Sequence, residues 1–367
     1  MDKNKRLTVW LPVIIAASIA LGIFIGNHYL SISQGKKRSY SSGNKINAIL
    51  DIIDEQYVDT VIMSKLVEST IPKIFSELDP HSVYIPAEDA SVVNEELEGS
   101  FSGIGVSFNM QTDTILVISV ISGGPAEKAG LLPFDRIISI NDSIFSGKKK
   151  NQGEIMKTLR GAKNSTVKLG VQRGNSPELL YFDVTRGDVP VNSVDVSYEA
   201  AKGIGYIKVS KFARNTYNEF ITAIAKLKQA GCTSFVIDLR GNTGGYMDAA
   251  INMINEFMPE GRLIVYTEGK SFPRSDVYAN GTGTCKDAPI VVLTDEISAS
   301  ASEIFSGAIQ DNDRGTIIGR RTYGKGLVQT QMSLSDGSEM RLTIARYYTP
   351  SGRCIQKKYE MGNTDAY

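Results

Sequence analysis

After Pro190 the chain alternates short apolar runs with segments of helical apolar spacing. That order demands an α/β layer, because parallel strands need helical crossovers to cover their faces. Ile204 to Val209 reads as a strand, Asn215 to Ala230 as a helix and Ser234 to Leu239 as a second strand. The turn Asp238-Leu-Arg-Gly-Asn-Thr-Gly-Gly245 then runs into a helix over about Tyr246 to Phe257. The alternation recurs at Ile290 to Leu293, a buried strand followed by a polar turn and an apolar-periodic helix beginning near Ser300. The stretch from Ser271 to Thr284 is too rich in Gly, Asn and Pro for regular structure, and Leu334 to Tyr347 is expected to form a hairpin around Asp336-Gly337.

A serine at a strand-to-helix junction sits beside unpaired backbone N–H groups, which stabilise developing negative charge. Ser300 is therefore either an ordinary cap, in a capping box with Glu303, or a nucleophile. A nucleophilic hydroxyl needs a proton acceptor, and the chain has only His28 and His81, both in remote N-terminal stretches. Lysine substitutes when burial disfavours its charged form; at a reference pKa of about 10.4 only about one lysine in 2,500 is neutral at pH 7. Lys325 stands between Gly324 and Gly326 just before an apolar strand, so it reads either as such a desolvated base or as a solvated turn lysine. The glycine pair at 244 and 245 frees N–H groups that suit an oxyanion, a phosphate or no ligand.

Ser298-Ala-Ser-Ala-Ser-Glu303, Gln310-Asp311, Gly319 and Tyr323-Gly-Lys-Gly-Leu-Val-Gln329 resemble the signature of the carboxyl-terminal processing (tail-specific) peptidases, which are Ser-Lys serine proteases. The resemblance runs from about Asn44 to Lys357. It implies a crotonase/ClpP-like α/β protease core over 188–367, with Ser300 as nucleophile, Lys325 as base and Gln329 orienting the lysine. It further implies an oxyanion hole from the N–H of Gly244 or Gly245 together with that of Ala301, and no metal or cofactor.

Between Gly99 and about Arg186 the pattern changes to short alternating strands. Ser102-Gly-Ile-Gly-Val-Ser-Phe108 resembles the carboxylate-binding loop of a PDZ domain, and Gly124-Pro-Ala-Glu-Lys-Ala-Gly-Leu131 and Asp135 to Asn141 resemble the same module. Successive N–H groups in such a loop turn towards one anion. The inserted domain is placed at 99–187, with Glu154 to Arg160 as its groove helix and Val167, Leu169 and Val171 on a closing strand. A peptide C-terminus is expected to add there as a strand, against Gly103, Ile104, Gly105, Val106 and Leu159.

The N-terminus carries Lys3, Lys5 and Arg6 ahead of Leu7 to Gly26, which is uncharged and mostly apolar. Its length suits a transmembrane anchor better than a cleaved signal, so 1–30 is read as a single-pass membrane helix, with the rest in the periplasm or extracytoplasmic space. Residues 31–44 read as a tether and 45–98 as a helical segment of two amphipathic helices, the second kinked or shortened at Pro72. Lysine plus arginine balances aspartate plus glutamate at 40 each, which argues against nucleic acid as a partner. Cys285 and Cys354 are candidates for a disulfide, whereas Cys232 reads as a buried core residue. The expected function is a membrane-tethered endopeptidase that takes polypeptides by their C-termini, with an adaptor protein or a second copy as further partners. The alternatives are a non-catalytic PDZ scaffold and a crotonase-like hydrolase of small acyl esters.

Overall fold

The computed structural model describes residues 16–23, 42–111, 114–146 and 152–362. The chain divides into two compact units, Met1–Ser69 and Thr70–Tyr367. In the first, residues 16–23 are helical and α1 spans Ser42–Gln56. Most of the expected anchor and tether lies outside the described residues, and no described helix is long and apolar enough to cross a membrane. Helix α2, Met63–Ser76, begins in the first unit and ends in the second. It does not stop at Pro72, because a proline there removes one i→i−4 bond and leaves the others in the helix intact.

The second unit starts with β1 (Val83–Ile85) and α3 (Ala87–Glu98), and then the inserted domain follows. Its elements are β2 (Ser100–Gly103), β3 (Val106–Gln111), β4 (Thr114–Val120), α4 (Pro125–Ala129), β5 (Arg136–Ile140), β6 (Ser143–Ile144), α5 (Gln152–Leu159), β7 (Thr166–Gln172), β8 (Leu180–Thr185) and β9 (Gly187–Pro190). The antiparallel sheet runs β3-β4-β5-β7-β8, with β6 on β5. Alternate residues turn inward, so Val167, Leu169 and Val171 are fully buried with Ile115, Val117 and Ile137 in one core. The pair β2–β9 brings the two ends of the insertion together, Gly103 facing Gly187.

The larger layer comprises β10 (Val194–Ala201), β11 (Ile204–Val209), α6 (Thr216–Gln229), β12 (Ser234–Asp238), α7 (Met247–Asn255), β13 (Leu263–Glu268), β14 (Ser275–Tyr278), β15 (Ile290–Thr294), α8 (Ala301–Asp311), β16 (Thr316–Gly319), β17 (Leu327–Ser333) and β18 (Glu339–Tyr348). One sheet has the order β10-β11-β12-β15-β16; its first pair is antiparallel and the rest are parallel. Phe257 sits at the centre of the core, edge-on to Phe220, Phe235 and Phe305 at 6.2, 6.3 and 6.5 Å. Such pairs add about 0.5–1.5 kcal/mol each beyond the area they bury.

A second sheet has the order β1-β18-β13-β14, with β17 on β18. Because Val83 pairs with Arg341, the segment before the insertion belongs to the same layer as the C-terminal strands. Two sequence expectations are corrected here, and one open alternative, a Cys285–Cys354 disulfide, is decided against. The hairpin around Asp336-Gly337 begins at Leu327, since β17 pairs with β18 from Leu327↔Arg346 to Ser333↔Glu339. Within 271–284, Ser275–Tyr278 forms β14 because the edge of β13 offers it a partner, Thr267 facing Ser275. The three cysteines are free: Cys232 and Cys285 are buried and Cys354 is exposed, so no disulfide joins 285 to 354.

Candidate active site

The parallel strands β12 and β15 share their carboxyl end of the sheet, and their outgoing turns meet there. After β12, Asp238 is 1% exposed and is gripped by Arg240, whose Nη2 lies 2.7 Å from Oδ2, and by the Tyr206 hydroxyl at 2.6 Å. Burial pushes this carboxyl up, but the Arg240 and Tyr206 hydrogen bonds outweigh it and hold the pKa at about 2. Asn242, fully buried, then stitches the turn to its neighbours. Its Nδ2 donates to the Val209 carbonyl at 3.0 Å, and its carbonyl accepts the Ala299 N–H at 3.0 Å and the Ser302 hydroxyl at 3.0 Å.

This stitching brings Gly244 against the second turn. A Cβ on Gly244 would lie 2.8 Å from Ser300 Cβ and 3.0 Å from the Ala301 nitrogen, so only glycine fits this approach. Ser300 itself is the N-cap of α8 with φ 53° and ψ −113°, a conformation that L-residues avoid and that costs on the order of 1–3 kcal/mol. Strain of this kind at a strand-to-helix turn lifts a serine clear of its neighbours.

Glu303 holds that conformation. Fully buried, its carboxylate accepts the N–H of Ser300 at 2.9 Å, of Gly324 at 2.7 Å and of Lys325 at 2.8 Å. Burial pushes its pKa up against these donors and the Thr322 hydroxyl. The capping-box spacing thus marks a clamp that ties the serine to the lysine loop. The hydroxyl of Tyr347 lies 3.0 Å from the Ser300 carbonyl and also contacts the Lys325 carbonyl.

Lys325 extends from that clamp into a cleft of about 870 Å³ that Ser300, Gly244, Gly245, Gln329, Arg341 and Tyr347 also line. Its Nζ donates to Gln329 Oε1 at 3.2 Å, and Gln329 in turn donates to the His81 carbonyl. Burial pushes the lysine pKa down and the Arg341 charge lowers it further, while Asp79 and Glu303 oppose the shift. His81 is itself driven down to about 4, by burial first and Lys325 second, so its ring is neutral near pH 7. Ser300 and Lys325 face one cleft, yet the amine donates to Gln329 and not to Ser300. Of the two glycines, Gly244 directs its N–H to Asn242 Oδ1 at 2.8 Å. The N–H groups of Gly245 and Ala301 have no acceptor among the described residues.

In the inserted domain β3 is an edge strand, with β4 on one side only. The N–H groups of Ile104 and Gly105, just before it, likewise find no acceptor among the described residues. Ile104 and Leu159 are 3% and 4% exposed within the domain core, and Val106 packs partly buried against them. Gly103 is taken up by its pairing with Gly187. The residues that sequence reasoning missed are Glu303 as a clamp, Asn242, Arg341 and Tyr347. Only the fixed Ser300-to-Glu303 spacing hinted at any of them.

Comparison with known proteins points to one family. The profile of peptidase family S41 matches residues 203–363, and that of the PDZ domain matches residues 102–195. The carboxy-terminal processing protease CtpB of Bacillus subtilis is 35% identical over 318 residues, which cover 86% of this chain and 66% of that protein. A probable CtpA-like serine protease of Staphylococcus aureus is 33% identical over 365 residues, 97% of this chain and 72% of that one. Among solved structures, the photosystem II D1 C-terminal processing protease is similar at 27% identity and a TM-score of 0.48, covering 86% of this chain and 91% of its own. With a PDZ domain inserted ahead of its Ser300 and Lys325 layer, this chain belongs to peptidase family S41, the carboxyl-terminal processing serine peptidases.

Proposed function

We propose that this protein is a membrane-tethered, extracytoplasmic serine endopeptidase that captures the C-terminal tail of a polypeptide in its PDZ domain and cleaves it at Ser300. The observation that carries the reading is the convergence of a strained serine and a buried, deprotonation-prone lysine on one cleft, beside the unpaired N–H groups of Gly245 and Ala301. Neutral Lys325 takes the Ser300 proton as Oγ attacks a peptide carbonyl, and the two N–H groups receive the oxyanion. The lysine then protonates the leaving amine, and water enters to hydrolyse the ester. Gln329, held by the His81 carbonyl, keeps the amine at the cleft wall. The tail's carboxylate is taken by the N–H groups of Ile104 and Gly105, and its last residues extend along the free edge of β3.

Tethering rests on the apolar segment Leu7 to Gly26 behind a basic start, with the catalytic layer on the far side of the membrane. Cleavage of a quenched peptide with an apolar C-terminus, by wild type and by Ser300→Ala, tests the chemistry; turnover by the alanine variant removes it. Membrane fractionation and protease protection of cells carrying the full chain test the location.

One observation favours a second reading. The Lys325 amine donates to Gln329 and not to Ser300, as it would in a scaffold that binds tails without cutting them. Catalytic hydrogen bonds are often unformed before substrate binds, and tail peptides bound without any turnover would select the scaffold.

A further inference from the structure

The cleft holds a charge to which no step of the mechanism assigns a substrate partner. Arg341 lies on β18 directly opposite Gln331 of β17, and Val83 of β1 flanks it on the other side. Its guanidinium donates to two neutral acceptors, Gln331 Oε1 at 3.0 Å and the Val93 carbonyl at 3.5 Å. No carboxylate lies within ion-pair distance of it among the described residues, although Glu339 is close by. Glu339 is instead occupied by the Gln331 amide at 2.5 Å and the Asn94 amide at 3.0 Å. Gln331 thus stands between the acid and the arginine: it takes the acid with its nitrogen and steadies the guanidinium with its oxygen. The result is an oriented, partly buried cation on the cleft wall with N–H groups to spare among the described residues, since an arginine offers five.

Its position along the sheet is defined. Gln329, which holds the Lys325 amine, pairs with Thr343, and Gln331 pairs with Arg341, so the arginine lies one same-face step along the hairpin from the Gln329–Thr343 pair beside the base. That step is roughly 7 Å, and side chains on one side of an extended polypeptide repeat at the same roughly 7 Å. A substrate strand that runs along the hairpin past Ser300 would therefore bring a side chain within a few residues of the scissile bond to the guanidinium. That Arg341 weighs on Lys325 through its charge agrees with this proximity.

We propose that Arg341 is a specificity-determining residue that pairs with an acidic side chain of the substrate close to the scissile bond. This rests on the peptidase reading and adds to it a preference for the sequence at the cut, separate from the tail that the PDZ domain reads. Guanidinium and carboxylate suit one another because two parallel N–H···O bonds form at once, and the partly buried site weakens screening.

The test uses the full chain and a family of quenched peptides with one apolar C-terminus. Glu is placed in turn at the three positions on either side of the scissile bond, and each peptide is paired with its Gln counterpart. At one or two positions wild type should cleave the Glu peptide on the order of tenfold better in kcat/KM than the Gln one, mainly through KM, and the advantage should shrink with added salt. Arg341→Gln should lose the ratio and Arg341→Lys should keep part of it. Comparing each variant with itself cancels any change in overall rate. A wild-type ratio near one at all six positions overturns the proposal without requiring any variant to fold, and so does a ratio that persists in Arg341→Gln. If Ser300→Ala cleaves as well as wild type, it is the peptidase reading that fails.

Discussion

Gly241 and Gly244 stand in the same turn, and both have positive φ, +73° and +102°. Yet a Cβ on Gly241 would meet nothing within 4 Å, whereas on Gly244 it would meet the Ala299 carbonyl at 2.7 Å, Ser300 Cβ at 2.8 Å and the Ala301 nitrogen at 3.0 Å. Gly241→Ala therefore suffers only the left-handed backbone, about 1–2 kcal/mol. Gly244→Ala suffers that and a clash against backbone and a held side chain, which adds about 1–3 kcal/mol. At about 3 °C per kcal/mol for a unit of this size, Tm should fall by roughly 5 °C in the first variant and by roughly 10 °C in the second. Activity should separate more sharply. The methyl at 244 pushes the Ser300 side chain and covers the Ala301 N–H, so cleavage should drop by about a thousandfold, the scale set by loss of an oxyanion donor and misplacement of the nucleophile. Gly241→Ala should remain within about tenfold of wild type. Thermal melts and quenched-peptide cleavage on the same preparations give both readouts. Equal losses in the two variants would refute the placement of Ser300 against Gly244.

The remaining expectations concern the lysine and its clamp. On the proposed mechanism Lys325 acts only when neutral, so kcat/KM should be full above its folded-state pKa and fall as pH drops through it. That limb should lie below the ordinary lysine range, as burial and then Arg341 push this amine down, while His81, at about 4, adds no step near pH 6; a rate independent of pH between 6 and 10 contradicts this. An amine whose pKa is lowered by folding disfavours the fold at every pH below its unfolded value near 10.4, so Lys325→Met should abolish cleavage by at least about a thousandfold and yet raise Tm at pH 7. Unchanged or lowered Tm in that variant would mean the amine is solvated. Glu303→Gln puts an amide donor where three N–H groups already point, so it should destabilise by about 3 kcal/mol and cut cleavage at least about a hundredfold. Near-normal melting and turnover would show that the clamp is dispensable.

Much of the larger layer was legible because each element states its own period. The helix expected over Asn215 to Ala230 is found at Thr216–Gln229 with those two residues as its caps, and the strand at Ile204 to Val209 is found with those limits. The junction that carries the proposed nucleophile was legible for the same reason, as a strand and a helix meet at Ser300. What the sequence concealed is long-range. β14 exists only because β13 leaves it an edge, and its own residues, Ser-Asp-Val-Tyr, carry little strand signal. β1 belongs to the C-terminal sheet through pairing with residues more than two hundred positions away, which no local pattern can express. Which of Gly244 and Gly245 keeps an N–H without an acceptor among the described residues was equally hidden, since it turns on where the Asn242 side chain points.

On the proposed mechanism, the clamp also explains how a serine and a lysine so far apart in the chain are held in one unit. Neither is placed by its own element alone: the serine's helix starts in a strained conformation, and the lysine sits in a glycine-flanked loop with little rigidity of its own. A single buried carboxylate that accepts the backbone N–H of both fixes them in one frame before either side chain is considered. Backbone anchoring leaves both side chains available for chemistry. The lysine amine then needs only a light hold, and it receives one from Gln329, a neutral acceptor that steadies it without restoring its proton as a carboxylate would. The acids that oppose its deprotonation, Asp79 and Glu303, are spent on other partners: Asp79 on Ser82 and Thr343, Glu303 on the three N–H groups. The proposed base, which must be uncharged to act, thus has near it acids whose oxygens are already engaged, and the Arg341 charge tilts the balance the same way.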